Sequence, residues 1–447
     1  MKYLNLFLLF AFLLTSCVPA ATVAPTQTVI PTSTLTPVPS PTITPTPAPE
    51  NLADASDLPT WIEQYVNAYG GKITVNGTEM DSNQLTNAIK SNPDSFTQAK
   101  RINGIKYSFL VVNGIPLAMR ESAGMWQKTT LKMLADLQGL KIGSFFGGNN
   151  TTDQDFQNIL KIQKQEFNLG AIYQGMDCCI ENQKGVFTLD ILRYLVKETK
   201  DSNMSLLLHP LVWSEEIPNW LRSTESKDVW NNSLKEYIQT VMSETKGTNP
   251  IVVVVNEYKN PQDIIYQKLG PDYLEMAFQE ARATDPSATL IYNDYQNETI
   301  SGSRYQLTMD VVKELKAKSL IDGIGLEMHL SGYTLPSKDD VVLAMKSYGL
   351  PVYLTEFDVN MGDVHGDAQT RMLKQAQIYE IVVDACIESG VCKYIVPFQI
   401  GDKFSVWEND PKFPGYSKNA APTIYDDNLK PKPAYYAVTQ SLYEHLP

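Results

Sequence analysis

Histidine is scarce in this chain: His209, His329, His365 and His445 are the only four in 447 residues. They are scattered without the short spacings of metal ligands, which argues against a dedicated catalytic metal site, and neither a metal nor an organic cofactor is expected. Basic residues are also in deficit, with 37 Lys and Arg against 50 Asp and Glu and a formal net charge of −13. Such a balance argues against a nucleic-acid partner, which would want a basic face. An uncharged or cationic ligand fits more easily. Long hydrophobic runs are missing as well. The one sustained stretch is Leu4 to Leu14, too short to span a bilayer.

That stretch follows Lys2 and ends in Leu14-Thr15-Ser16-Cys17, the pattern of a signal peptide rather than of a folded helix. Its ending resembles a bacterial lipobox, which implies a signal over residues 1–17 and a lipid on Cys17. An ordinary cleaved signal is the alternative. Residues 18–50 are rich in Pro and Thr, as in Pro37-Val38-Pro39-Ser40-Pro41, a composition that makes a stiff, solvated spacer. The folded part is therefore expected on the extracellular face of a bacterial cell membrane, touching it only through a lipid anchor, or secreted. In that oxidising setting Cys386 and Cys392, separated by a loop containing Gly390, form a possible disulfide. Cys178 and Cys179 are adjacent, a spacing that strains a bridge, so two reduced buried thiols are expected there.

What the chain does have is a repeated rhythm. Residues 51–125 read as a small α+β region of unassigned role, with a helix from about Pro59 to Tyr69 and a strand through Tyr107–Val112 closed by Asn113-Gly114. From Trp126 onward, over 126–447, strands alternate with helical stretches such as Asp190–Lys200 and Tyr273–Ala283. That alternation argues a parallel α/β sheet. Eight candidate strands can be drawn: Lys141–Phe146, Leu169–Tyr173, Ser205–Val212, Ile251–Val255, Thr289–Tyr292, Gly323–Met328, Pro351–Thr355 and Tyr394–Phe398. Eight is the count of a (β/α)8 TIM barrel, whose chemistry sits at the carboxyl ends of the strands. Two of those ends carry glutamates, in Ile251-Val-Val-Val-Val-Asn256-Glu257 and in Leu350-Pro-Val-Tyr-Leu-Thr-Glu356-Phe-Asp358. A paired acid and carboxylate converging on one cleft is what glycoside hydrolysis requires.

The motifs then occur in a fixed order. They are His209-Pro-Leu-Val-Trp213 with Ile217-Pro-Asn-Trp220; Val254-Val-Asn-Glu257; Tyr292-Asn-Asp-Tyr295; Gly323-Ile-Gly325 with Met328-His-Leu330; Thr355-Glu-Phe-Asp358; and Lys430-Pro-Lys-Pro-Ala-Tyr435. Together they resemble glycoside hydrolase family 10, the xylanase family, from Leu131 to about Leu442. The resemblance implies that Glu257 is the general acid/base and Glu356 the nucleophile of a retaining mechanism, with carboxyl groups about 5 to 5.5 Å apart. It also implies that Asn256 holds the 2-hydroxyl of the reacting sugar and that His329, backed by Asp358, positions Glu356. His209 and Trp213 would line the subsite of that sugar, with Asn293 and Glu327 in the same shell. Trp407 reads equally as packing or as a sugar platform. Trp61, Trp126 and Trp230 read as core.

Several positions depart from the family pattern. Tyr173 and Gln174 stand where Glu-Asn is usual, and Met176-Asp177-Cys178 where Met-Lys-Trp is usual. Ser214 replaces a second histidine, Glu327 a glutamine, Val252-Val253 a Trp-Asp pair and Phe398 a tryptophan. A polar site that loses its partners discriminates poorly, so the altered side is expected to loosen specificity. Glu327 is expected to raise the acid's pKa by like-charge repulsion. The reading is a monomeric endo-1,4-β-xylanase acting on xylan or a related plant polysaccharide. The alternatives are a cell-surface glycan-binding lipoprotein with weakened catalysis, and a β-glycanase of different specificity.

Overall fold

The computed structural model describes residue 52 and residues 55–147, 151–411 and 415–447. Cys17, the signal and the Pro/Thr-rich segment lie outside the described residues. Eight parallel strands close on themselves: β1 (Lys141–Phe145), β2 (Leu169–Tyr173), β3 (Ser205–His209), β4 (Ile251–Asn256), β5 (Thr289–Asp294), β6 (Gly323–Leu326), β7 (Val352–Asn360) and β8 (Cys392–Pro397). Each pairs with the next, and β8 returns to β1 through Tyr394 opposite Lys141 and Ile395 opposite Ile142. All eight expected strands are present in order.

β4 shows why the sequence folds this way. Its six residues are all buried, so a run of β-branched side chains, which fits the pleat, loses no solvation on either face. Ile251 and Val253 join Phe145, Leu169, Ala171, Leu207, Ile291, Tyr353 and Val396 inside the barrel. Val252 and Val254 face the surrounding helices. This period-two division makes a filled barrel rather than a pore.

Both strands that end in the paired glutamates carry an irregularity next to them. Val253 pairs with Ile291 but Val255 with Tyr292, so β4 holds one extra residue against β5. On β7, Leu354 pairs with Ile395 and Phe357 with Pro397, again one residue in excess. Bulges of this kind re-aim side chains at barrel rims. Here they set the direction of Asn256, Glu257 and Glu356.

Most strand boundaries shift by a residue or more from the sequence reading, and those of β3, β6 and β7 shape the site. β3 stops at His209 because Pro210 supplies no N–H for a further rung. β6 stops at Leu326, and after Met328, whose φ is +56°, a separate strand His329–Ser331 runs along the end of β7. That extra pairing lengthens β7 to Asn360 and brings His329 opposite Asp358.

The region before the barrel contains the helix Leu58–Ala68 and an antiparallel sheet of Thr97–Ile102, Ile105–Val112, Ile115–Glu121 and Gln127–Lys128. Asn113 and Gly114 both have positive φ, at +51° and +83°, as a two-residue hairpin turn requires. The sheet and helix pack on the terminal helix Pro433–Glu444. Phe109 meets Tyr443 with ring centres 4.9 Å apart and Tyr65 meets Tyr436 at 5.1 Å. Trp126 and Trp230 are buried and Trp61 is partly buried against the core.

Cys386 and Cys392 are bridged, closing the end of the helix Ala368–Ser389 onto β8. Cys178 and Cys179 are bridged too, which corrects the expectation of reduced buried thiols. The bridged pair lies within a π turn, Met176–Ile180. Cys178 is exposed and Cys179 half-buried.

The stretch Lys430–Tyr435 owes its form to a buried ion pair. Lys432 Nζ lies 2.9 Å from Asp402 Oδ2, with side-chain exposures of 3% and 7%. Lys432 also donates to the Ala421 carbonyl at 2.7 Å, and Asp402 accepts from the Thr423 N–H at 2.8 Å. Removing one member leaves the other charge buried and unpaired. Lys432→Met should therefore destabilise the fold by about 3–5 kcal/mol, read as a lower urea midpoint at an unchanged slope. A loss within about 0.5 kcal/mol, the ordinary range for a surface change, would show that the pair is solvated.

Candidate active site

Glu257 is the first residue beyond β4, at φ +54°. This left-handed conformation is costly for a non-glycine residue and is held by its surroundings: the Glu257 N–H donates to the Asn293 carbonyl at 3.0 Å. Its carboxyl accepts from Asn260 Nδ2 at 3.1 Å, with Asn256 Nδ2 3.5 Å from the other oxygen. The loop behind it is fixed by Arg304, which donates to the Tyr258 carbonyl at 2.6 Å and pairs with Asp294 at 2.9 Å. Asp294 is fully buried and also accepts from the Tyr295 N–H at 3.0 Å.

Burial pushes the Glu257 carboxyl up to about 7, against the pull of the Asn260 hydrogen bond and with help from the charge of Glu356. It is thus poised to hold a proton near neutrality, as a general acid must.

Glu356, on β7, is 6% exposed and sits between two imidazoles. His209 Nε2 lies 2.9 Å from Oε1, and His329 Nε2 lies 3.3 Å from Oε2. Asn293 Nδ2 is a further donor at 3.0 Å to Oε1. Burial alone would raise this carboxyl. The charges and hydrogen bonds of His209 and His329 outweigh it and hold Glu356 well below the usual carboxylate range. The two glutamates are therefore pushed in opposite directions, one toward the acid and one toward the carboxylate.

His329 is itself clamped. Its Nδ1 lies 2.9 Å from Asp358 Oδ1, and burial, which would lower its pKa, loses to the pull of Asp358 and Glu356, so the imidazolium is favoured. Trp407 Nε1 donates to Asp358 Oδ2 at 2.6 Å, and its ring meets His329 edge-on at 5.6 Å. Trp407 is thus tied to Asp358 and His329. Phe398 packs on the other side of His329 at 4.9 Å. In this way β7, β8 and the loop after β8 fix one charged chain, Trp407–Asp358–His329–Glu356.

Asn293 ties the halves together. Its Nδ2 faces Asn256 Oδ1 at 2.7 Å, Glu356 Oε1 at 3.0 Å and Glu327 Oε1 at 3.3 Å. Trp213 is half-buried on the loop after β3, and its buried indole Nε1 has no hydrogen-bond partner, nor does His209 Nδ1. Glu327, His329 and Glu356 carry potential ligand atoms within 4.8 Å of one another, but these atoms serve the network around the nucleophile.

Ten of the expected site residues are thus described, and Cys17 is not. Three further groups were missed. Asn260 supplies a hydrogen bond to the acid, and nothing in the sequence marks it. Tyr295 stands inside a quoted motif; burial raises its phenol, Arg304 pulls it back, and Glu257 adds a nearby charge. Glu216 accepts from the Tyr173 hydroxyl at 2.7 Å and the Cys178 N–H at 3.2 Å. This link ties the end of β2 to the segment carrying Cys178.

With this geometry in place, the comparisons are decisive. The model of glycosyl hydrolase family 10 matches residues 130–441. The chain belongs to glycosyl hydrolase family 10. Endo-1,4-beta-xylanase B of Thermotoga neapolitana is 30% identical over 330 residues, covering 72% of this chain and 93% of that protein. Xylanase 10B of Thermotoga petrophila, solved in complex with xylobiose, superposes with a TM-score of 0.66 at 30% identity, covering 72% of this chain and all of that one. Native xylanase 10B of Thermotoga maritima gives 0.65, also at 30% identity, over 71% of this chain and 99% of that one. Endo-1,4-beta-xylanase A of Thermoanaerobacterium saccharolyticum is a longer protein, of which this chain matches 23%. In this family 10 chain the two carboxylates and their positioning groups share one hydrogen-bonded site, and Tyr173, Glu216 and Cys178 are linked to one another.

Proposed function

We infer that this family 10 glycoside hydrolase cleaves internal β-1,4 linkages of xylan by a retaining double displacement. The observation that carries the reading is the opposite poise of Glu257 and Glu356 within one hydrogen-bonded site. In the first step ionised Glu356 attacks the anomeric carbon while Glu257 gives its proton to the leaving oxygen. In the second, Glu257, now ionised, takes a proton from water as it attacks the glycosyl ester. His329 and His209 keep Glu356 ionised and aimed.

The test is reducing-sugar release by the chain from residue 51 on, from xylan and from a panel of β-glucans, with the anomer of the first product read by NMR. Release from xylan with a β product supports the reading. An α product would exclude retention. Binding without release from any substrate would favour the glycan-binding alternative, for which the link among Tyr173, Glu216 and Cys178 is the motivating feature.

The pH dependence follows from the two carboxyls. Glu257 must be protonated in the free enzyme and its pKa is raised to about 7, so kcat/KM on xylo-oligosaccharides should fall tenfold per unit above about pH 7. Glu356 must be ionised and is held below the ordinary range, so the acid limb should begin only below the usual carboxylate pKa of about 4. A bell centred well below pH 4 or a plateau to pH 9 would contradict this assignment.

We further propose that Cys17 carries a lipid and that the Pro/Thr-rich spacer holds the enzyme outside the cell at a distance from the membrane, secretion after ordinary signal cleavage being the alternative. Labelled-fatty-acid incorporation, lost in Cys17→Ala, checks that proposal.

A further inference from the structure

Glu327 is buried, 4% exposed, at the centre of the site, one residue past the end of β6. Its surroundings can be stated group by group. Glu356 on β7 is ionised. Glu257 after β4 and Asp294 on β5 add carboxyls, and His329 on the following strand adds a positive charge. That positive charge is already shared between Glu356 and Asp358. No lysine or arginine contact to Glu327 is present among the described residues. The donor recorded for its Oε1 is Asn293 Nδ2 at 3.3 Å, which Asn256 and Glu356 also engage at shorter distances.

A buried carboxylate with one long, shared donor and no cation of its own is heavily penalised. A neutral carboxylic acid in the same place is not. It keeps Oε1 as the acceptor for Asn293 and carries a proton on the second oxygen, so it presents one acceptor and one donor, like the glutamine usual at this position. We propose that Glu327 works as a protonated positioning acid, an O–H donor inside the active site, and that losing its proton disables the glycosylation step. Burial and then the charges of Glu356 and Glu257 raise its pKa well above the ordinary value, with His329 opposing them, in agreement with this placement. On this proposal the like-charge repulsion expected of Glu327 on Glu257 does not operate, and the neighbouring charge that raises Glu257 is that of Glu356. Glu327 is the group driven neutral, and a neutral neighbour exerts no such repulsion.

The inference rests on the retaining xylanase reading, and the experiment keeps the two apart. A dinitrophenyl β-xylobioside has a leaving group that needs no proton, so the ionisation of Glu257 drops out of kcat/KM for glycosylation. The wild type should still lose kcat/KM at alkaline pH, whereas Glu327→Gln should give a flat alkaline profile whatever its height. At pH 6 Glu327→Gln should exceed Glu327→Ala by about tenfold or more, because only the amide restores the donor. Matching alkaline limbs in wild type and Glu327→Gln, or a flat wild-type profile, would overturn the proposal. If the wild type does not turn over this glycoside at all, the xylanase reading has failed. Infrared difference spectra at pH 6 in a Glu257→Gln background then decide for Glu327 alone. A protonated-carboxyl C=O band lost in Glu327→Gln supports the proposal, and its absence overturns it.

Discussion

Glu356→Ala leaves xylan essentially uncleaved, with kcat/KM reduced on the order of 10⁵-fold or more, the scale of removing a covalent nucleophile from a site whose parts act as a unit. The magnitude follows from how much of the site is organised around this one carboxylate. His209, His329 and Asn293 all donate to it, and Asp358 and Trp407 act on it only through His329. Without Glu356 those donors point at nothing the reaction uses. Substrate should still bind, because Trp213 and the outer walls are unchanged, so the loss falls on kcat. A small anion such as azide, entering the space vacated by the side chain, should restore turnover of an activated glycoside and form the α-azide. Wild-type-like hydrolysis by Glu356→Ala, with the variant folded, would remove Glu356 from the mechanism.

Glu257→Ala has the second largest effect, and it depends on the leaving group. On xylan, loss of the general acid should cost about 10²–10⁴-fold. On a dinitrophenyl glycoside the first step needs no proton and should be nearly spared. Deglycosylation still needs a base, so the covalent intermediate should accumulate and a pre-steady-state burst should appear. An equal loss on both substrates would mean that Glu257 positions rather than transfers protons. Because Glu257 is held in a left-handed conformation at φ +54°, replacement by glycine should be tolerated structurally at least as well as by alanine. That offers a second variant should alanine disturb the loop.

Much of the barrel was legible because its signals are local. The run Ile251–Val255 is β-branched and continuous, and only a strand covered on both faces accepts that. The paired glutamates stood at strand ends, and the motif order fixed their family. The hairpin at Asn113-Gly114 was equally local, since its turn chemistry lies within two residues.

The rest depended on residues far apart in the chain. The bulges that aim Glu257 and Glu356 exist only against β5 and β8. Asn260, Glu216 and the Arg304–Asp294 pair leave no local mark, because each gains its meaning from a partner brought in by closure of the barrel. The bridge between Cys178 and Cys179 lies in a π turn that propensity does not announce. Protonation states were the least legible of all. Sequence composition placed three glutamates in one site, and it could not say which is ionised. That is decided by two histidines on Glu356, burial against the pull of Asn260 on Glu257, and, among the described residues, the lack of a lysine or arginine contact on Glu327. The sequence alone determined the fold, the family and the two strand-end glutamates on which the proposed chemistry rests, because these are written in local pattern and order. Tertiary structure alone decided their charges, because a pKa is set by what surrounds a group in space.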